Sequence, residues 1–367
     1  MNNFYQKYAD VLVNYSTKVK KNDLVIIKTQ SYLAEPLIKE IYRAVLKNGA
    51  HPVVRCSFES LSEIFIKNAD DNQLNYIDEM SKIEFEKADK IISIGAPLNV
   101  KSMANANSDK MAKRSKATRE LSQTMLKRSE KGELNWVIAD FPTQALSQEA
   151  KMSLDEYEEF LINSCYLDLE NPVQKWIEIG QEQKRIISKL NGTKKLHITG
   201  EKTDITFSVE NRLWISCDGI NNFPDGEIFT SPVEDSAEGE IYFDFPAIYR
   251  GNQADKIHLK LKEGRVIEAS AQTGEDFLNS MLNMDEGSRL VGEIAIGTNE
   301  RIKNVTGNIL FDEKIGGSVH MALGASYPET GGKNVSGLHW DIIKNMKNNS
   351  CIYADDKLIY KDGRFVI

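Results

Sequence analysis

The chain has 367 residues, 41% of them apolar and 27% charged, with a net charge of -8. That length exceeds what one hydrophobic core usually serves, so two domains are expected. Diffuse acidity argues against nucleic acid and anionic lipid as partners, because both reward basic surface. No apolar run reaches the ~20 residues that cross a bilayer.

The four cysteines, Cys56, Cys165, Cys217 and Cys351, are far apart and form no Cys-x-x-Cys pair. That pattern argues against a finger-type zinc site and fits free thiols in a reducing compartment. The opening Met1-Asn2-Asn3-Phe4-Tyr5 lacks the basic start and apolar run of a secretory signal. A cytoplasmic location is therefore expected.

In chain order, residues 23–28 (DLVIIK) form a short β-branched run typical of a buried strand. Over 33–47, Leu37, Ile38, Ile41, Tyr42 and Val45 fall on one helical stripe. Asn48-Gly49 ends that helix, with glycine in the usual C-terminal position. Strands are expected again at 51–56, 90–94 and 136–139, which predicts βαβ units on a parallel sheet. No Gly-x-Gly-x-x-Gly follows a strand, so a dinucleotide site is unsupported. The basic stretch at 110–119 reads as a solvated loop or helix face. Ser153 and Glu156 form a capping box for a helix at 153–165, and Pro172 opens a long amphipathic helix to Leu190.

Beyond residue 193 the texture changes. Short strand candidates at 197–199, 205–209, 213–216, 241–245, 257–261 and 266–270 are separated by Gly, Asn and Asp. A terminal meander over 352–367 turns at Asp355-Asp356 and Asp362-Gly363. The expected architecture is an α/β N-terminal domain with a mostly parallel sheet, residues 1–190. An α+β C-terminal domain of mainly antiparallel strands, residues 191–367, follows and carries the chemistry.

That chemistry centres on two of the five histidines, His320 and His339. His339 and Asp341 are two apart, and on a strand such residues share a face. One imidazole beside one carboxylate makes half a site for a divalent ion. Glycines 316, 317, 324, 331, 332 and 337 let the backbone bend closely around such a site. Spacing leaves a plainer alternative open: hydrogen-bonded histidines, with Asp341 capping a helix that starts at Ile342. Taken singly, Glu227 and Glu293 read as solvated turn residues after glycine, and Tyr327, before Pro328, as a loop aromatic.

Four blocks in the second half carry a wider resemblance. They are Phe223 to Pro232 (FPDGEIFTSP), Gly292 to Ala295 (GEIA), Phe311-Asp312-Glu313 through His320 to Gly324 (HMALG), and Leu338 to Asp341 (LHWD). Earlier matches are Tyr8 to Val13 (YADVLV) and Trp136 to Thr143 (WVIADFPT). With these blocks the whole chain resembles the aminopeptidase T and S family of metallopeptidases. The resemblance implies metal ligation by Glu227, Glu293, Glu313, His320, His339 and Asp341, with Tyr327 as an active-site tyrosine. The spacing from Glu313 to His320 is slightly longer than the family pattern.

The resemblance further implies two divalent ions (Zn, Co, Mn or Mg), short peptides as substrates and a homodimer. Two ions ~3.5–4 Å apart can share one water and shift its pKa towards ~7. Glu293 and Asp341 are then the expected bridging carboxylates and the histidines the terminal ligands. A peptide's terminal amine would set the register for removing one residue. Tyr327 would donate to the oxyanion, and Glu293 or Glu313 would accept the proton. Two competing readings are an inactive peptide-binding protein of the same fold and a nucleotide-using enzyme, the latter without a phosphate-cradling loop.

Overall fold

The computed structural model describes residues 2–367, and its contacts divide the chain into two compact units. The first holds the chain up to Lys175 together with Gly219–Pro224; the second holds Trp176–Asp218 and Asp225–Ile367.

The first unit is built on β1 (Leu24–Thr29), β2 (His51–Cys56), β3 (Lys90–Gly95) and β4 (Asn135–Asp140), all parallel in the order β2-β1-β3-β4. A two-residue strand at Asn222–Phe223 adds to the β4 edge, also parallel. β1 and β3 are central and covered on both faces, so Val25, Ile26, Ile27, Ile91 and Ile92 run consecutively and all are buried. The helix Glu35–Lys47 buries Leu37, Ile38, Ile41 and Val45, the stripe expected from sequence, although Tyr42 stays exposed. Ser153 and Glu156 form the expected capping box of the helix Leu154–Ser164.

Three short helices, Ser60–Asn68, Asp71–Asn75 and Glu79–Lys87, were not resolved by periodicity. The basic stretch lies in the helix Ser108–Glu130, and its charges are not all solvated. Lys110 donates to the carbonyl of Ala69 (2.7 Å), Arg114 to that of Leu74 (3.2 Å), and Arg128 to that of Ala88 (2.7 Å). Each short helix thus ends on a cation from the long one, which satisfies carbonyls that have no partner within their own helix.

The helix Pro172–Leu190 falls where expected. From Trp176 onward it belongs to the second unit, where Ile186 and Leu190 join the core. The contacts therefore divide the chain before Trp176 rather than after residue 190.

In chain order the second unit's strands begin with β5 (Lys195–Gly200), β6 (Thr203–Ser208) and β7 (Ile215–Cys217); the first unit's Asn222–Phe223 is β8, and β9 (Glu227–Thr230) and β10 (Glu238–Tyr242) return to the second unit. A hairpin, β11 (Ala247–Tyr249) and β12 (Asn252–Ala254), precedes β13 (His258–Lys262) and β14 (Arg265–Ser270). Then come β15 (Val291–Gly297), β16 (Ser318–Gly324), β17 (His339–Asn345), β18 (Cys351–Ala354), β19 (Lys357–Lys361) and β20 (Arg364–Phe365). One sheet has the order β14-β13-β10-β6-β5-β18-β19-β20 and the other β17-β16-β15-β9-β7. Every pairing in both is antiparallel.

The core of this unit draws on both sheets. Ile294, Ile296, Val319, Met321, Leu323, Trp340 and Ile342 supply one face of the five-stranded sheet, and Leu196, Ile198, Ile205, Phe207 and Leu259 come from the other sheet. Trp340 is almost fully buried, with its ring 5.3 Å from Phe277 and 6.2 Å from Tyr249.

Trp340→Ala should destabilise the second unit by about 3–5 kcal/mol through the cavity it leaves. Chemical denaturation followed by circular dichroism would measure this, and a loss under 1 kcal/mol would contradict the packing described.

Candidate metal centre

Strand alternation puts chemistry on one face of the five-stranded sheet. The register pairs Glu293 with Ala322 and Ala322 with Asp341, so these three side chains lie in a row across β15, β16 and β17. Two residues along, Ala295 pairs with His320, and Gly324 pairs with His339. On the β9 side, Glu227 pairs with Gly297. Each ligand-type side chain therefore has a small residue opposite it, which leaves room above the sheet. A bulge between Val291 and Glu293 allows Val291 to join the core while Glu293 turns to the opposite face.

Asp341 and His339 lie on a strand, so the alternative of a helix cap at Asp341 is overturned: residues 339–345 continue the ladder with β16. Glu227 and Glu293 are only 5% and 3% exposed, and neither is a solvated turn residue.

The distances are short. His320 Nε2 lies 3.3 Å from Glu227 Oε2, 3.4 Å from Glu293 Oε1 and 3.9 Å from Asp341 Oδ1. His339 Nε2 lies 3.4 Å from Glu293 Oε2 and 3.5 Å from Asp341 Oδ1. Three overlapping sets could each hold an ion: Glu227–Glu293–His320, Glu293–His339–Asp341, and Glu313–His320–Asp341. In each, one donor atom per residue lies within 4.8 Å of the others. All six sequence-predicted ligand positions thus converge.

The donors suit a divalent cation. His339 Nδ1 is 2.9 Å from the carbonyl of Ala325, which fixes the ring and turns Nε2 towards the carboxylates. Glu227 Oε2 is buried without a hydrogen-bond partner, since His320 approaches it off-line. A mixture of oxygen and imidazole donors suits a divalent cation.

Electrostatics point the same way. Burial, only partly offset by Lys314, pushes the Glu227 carboxyl up to about 8. His320 is buried, yet the surrounding carboxylates, with Glu293 foremost, raise it to about 9. Burial opposes the charge of Glu293, but hydrogen bonds from His320 and His339 win and hold it below the usual range. Asp341 is also held well below its usual value: burial opposes its charge, and His339, His320 and Lys314 outweigh it. The cluster draws positive charge, as protons or as metal.

Tyr327 stands at the rim, 38% exposed, its ring centroid 5.0 Å from His339 and 5.2 Å from Phe229. Its loop is tied down by Thr330, which donates to the Tyr327 carbonyl at 2.7 Å. Partial burial, together with the charges of Glu293 and Asp341, keeps the phenol protonated well above its ordinary range.

Sequence reasoning missed three neighbours. Lys314 is fully buried and lies 2.6 Å from Glu227 Oε1, in contact with Glu313, and 3.6 Å from Asp225 Oδ1. Cys217 and Asp225 form a further possible donor set with Glu227. A signal for Asp225 was present in the Pro-Asp-Gly-Glu run; a lysine beside a glutamate ordinarily reads as surface charge. Asp312 plays a different part: it accepts from the backbone of Thr306 and Gly307 (2.7 and 2.9 Å), leaving Glu313 to face the site. Gly226 holds φ +124°, and an added Cβ would meet Asn299 Cβ at 2.7 Å, so the backbone before Glu227 needs glycine.

With this geometry described, comparisons with known proteins add the family. A family model described as thermophilic metalloprotease (M29) matches residues 1–365. The chain is 23% identical to aminopeptidase AmpS of Bacillus subtilis, over 99% of this chain and 94% of the relative. Its fold matches that of wild-type AmpT from Thermus thermophilus with a TM-score of 0.86 at 20% identity, covering 99% of both chains. A 2,5-dihydroxypyridine dioxygenase from Pseudomonas putida shares the fold more loosely, with a TM-score of 0.60 at 15% identity over 100% of this chain and 98% of that one. The family match spans nearly the whole chain, and the chain belongs to the thermophilic metalloprotease (M29) family.

Proposed function

We propose that the chain is a metal-dependent aminopeptidase that releases N-terminal residues from short peptides. The observation that carries this reading is the convergence of Glu227, Glu293, Glu313, His320, His339 and Asp341 on one sheet face in a family of metalloproteases. Curated relatives bearing the name aminopeptidase support the reaction class. The shared fold alone does not, since a dioxygenase also has it.

In this reading the overlapping donor sets Glu227–Glu293–His320 and Glu293–His339–Asp341 would hold two divalent ions. Bound metal supplies Lewis acidity and makes water nucleophilic near neutral pH. His339, fixed by Ala325, His320, Glu293 and Asp341 would hold the metal. Glu313 is the candidate proton acceptor, because it is the least buried of the three ligand glutamates. Tyr327, protonated and at the rim, donates to the carbonyl oxygen as it gains charge. A homodimer and a cytoplasmic location belong to the same proposal. The first is supported by family resemblance and the second by four cysteines without disulfides.

The assay offers leucyl and other aminoacyl chromogenic amides with added Co²⁺, Zn²⁺ or Mn²⁺. Glu313→Gln should lower kcat by about 10²–10⁴-fold. If no metal supports release from any substrate, the peptidase reading is lost, and metal binding with no turnover would favour a peptide-binding protein instead.

Tyr327→Phe should reduce kcat about 10²-fold with little change in KM. An equal rise in KM at constant kcat would assign the tyrosine to binding rather than to the oxyanion.

Ala322→Leu places bulk between Glu293 and Asp341 while the opposite face of β16 stays apolar. The expected result is a folded chain by circular dichroism with metal content sharply reduced by elemental analysis. Metal content equal to the parent would refute the geometry of the row.

A further inference from the structure

Lys314 has no role in the mechanism above. Its side chain is fully buried, and its three ion-pair partners are Asp225, Glu227 and Glu313. Two of these, Glu227 and Glu313, belong to donor sets that also use His320. Glu293 and Asp341 pair with both histidines and, among the described residues, with no lysine, whereas Glu227 pairs with both Lys314 and His320.

The two ends of the centre therefore differ. At the Glu227 end, Oε1 is committed to the lysine ammonium, and Oε2, 3.3 Å from His320 Nε2, accepts no hydrogen bond. An ion arriving there meets one free oxygen of a carboxylate whose charge is already offset, beside a fixed positive charge. At the His339 end, Glu293 and Asp341 face an imidazole that is anchored through Nδ1 to Ala325. No lysine or arginine forms an ion pair with either carboxylate there among the described residues.

We propose that Lys314 is a built-in competitor that makes the centre's halves unequal. The Glu293–His339–Asp341 half takes its divalent ion tightly, and the half built on Glu227 and His320 takes its ion weakly and exchangeably. The inference rests on the metallo-aminopeptidase reading and deepens it. Its physical reason is that Asp225, Glu227 and Glu313 could not stay buried together, charged and without a cation, in the metal-free chain. The ammonium that permits this then repels a second ion from the same carboxylates.

The test is stepwise titration of the metal-free chain with Co²⁺ by calorimetry, with metal content confirmed by elemental analysis. The expected isotherm has two steps separated by about 100-fold or more in affinity. His339→Ala should remove the tight step and leave the weak one. Lys314→Met should tighten the weak step about ten- to a hundredfold, while Lys314→Arg, which keeps the charge, leaves it weak. Two steps of equal affinity, a tight step that survives His339→Ala, one ion only at millimolar Co²⁺, or a weak step unmoved in folded Lys314→Met would each overturn the inference. If Lys314→Met does not fold, the parent and His339→Ala isotherms decide the matter. A chain that binds no divalent ion overturns the proposed function itself. Equal affinities with full peptidase activity would overturn this inference alone.

Discussion

The second unit is organised around confined negative charge. Asp225, Glu227, Glu293, Glu313 and Asp341 form a chain of overlapping close clusters, and all are largely withdrawn from water. Carboxylates so placed must acquire protons or cations, because neither water nor distance separates their charges. Lys314 meets part of that demand, and protonated imidazoles meet part of the rest when no metal is present. What remains is a site with a standing attraction for divalent metal, which is the property the proposed chemistry needs.

An antiparallel sheet can carry such a site because its two faces are independent in character yet covalently joined. On β15, Ile294 and Ile296 enter the core while Glu293 faces the other way, and on β17 Trp340 does the same between His339 and Asp341. The packing that stabilises the unit thus also sets the spacing of the ligands. Side chains anchored on strands hold their positions more closely than side chains on loops. Small residues complete the arrangement: Ala295, Gly297, Ala322 and Gly324 sit opposite the candidate ligands in the ladder, where a larger residue would crowd them. Tyr327, on a loop at the rim, is the most exposed member of the cluster.

The fold by itself does not determine reactivity. A peptidase relative and a dioxygenase share its topology at low identity. What separates such proteins is which side chains occupy the ligand positions and what charge surrounds them. In this chain the clustered carboxylates and the buried lysine make the surroundings strongly ionic.

Local pattern was enough to read several features from sequence alone. Consecutive β-branched residues marked the central parallel strands, apolar spacing marked the helix Glu35–Lys47, and Ser153 with Glu156 marked a helix start. The two-residue spacing of His339 and Asp341 already implied one shared face, and the sequence blocks singled out the six candidate ligands that the sheet brings together. These signals survive in one dimension because each depends on neighbours along the chain. The short helices between residues 60 and 87 were not legible, because their ends are completed by Lys110, Arg114 and Arg128 from a distant helix. Nor was the burial of Glu227 and Glu293, which follows glycine in sequence but depends on ladders to β16 and β9. Lys314 shows the limit most clearly. Beside Glu313 it looks like an ordinary surface pair, and only the turn after residues 309–312, meeting a strand 87 positions earlier, makes it the buried cation of the site. Sequence determined which groups could act; the tertiary structure decided which charges must share a space without water, because that depends on contacts between residues remote along the chain.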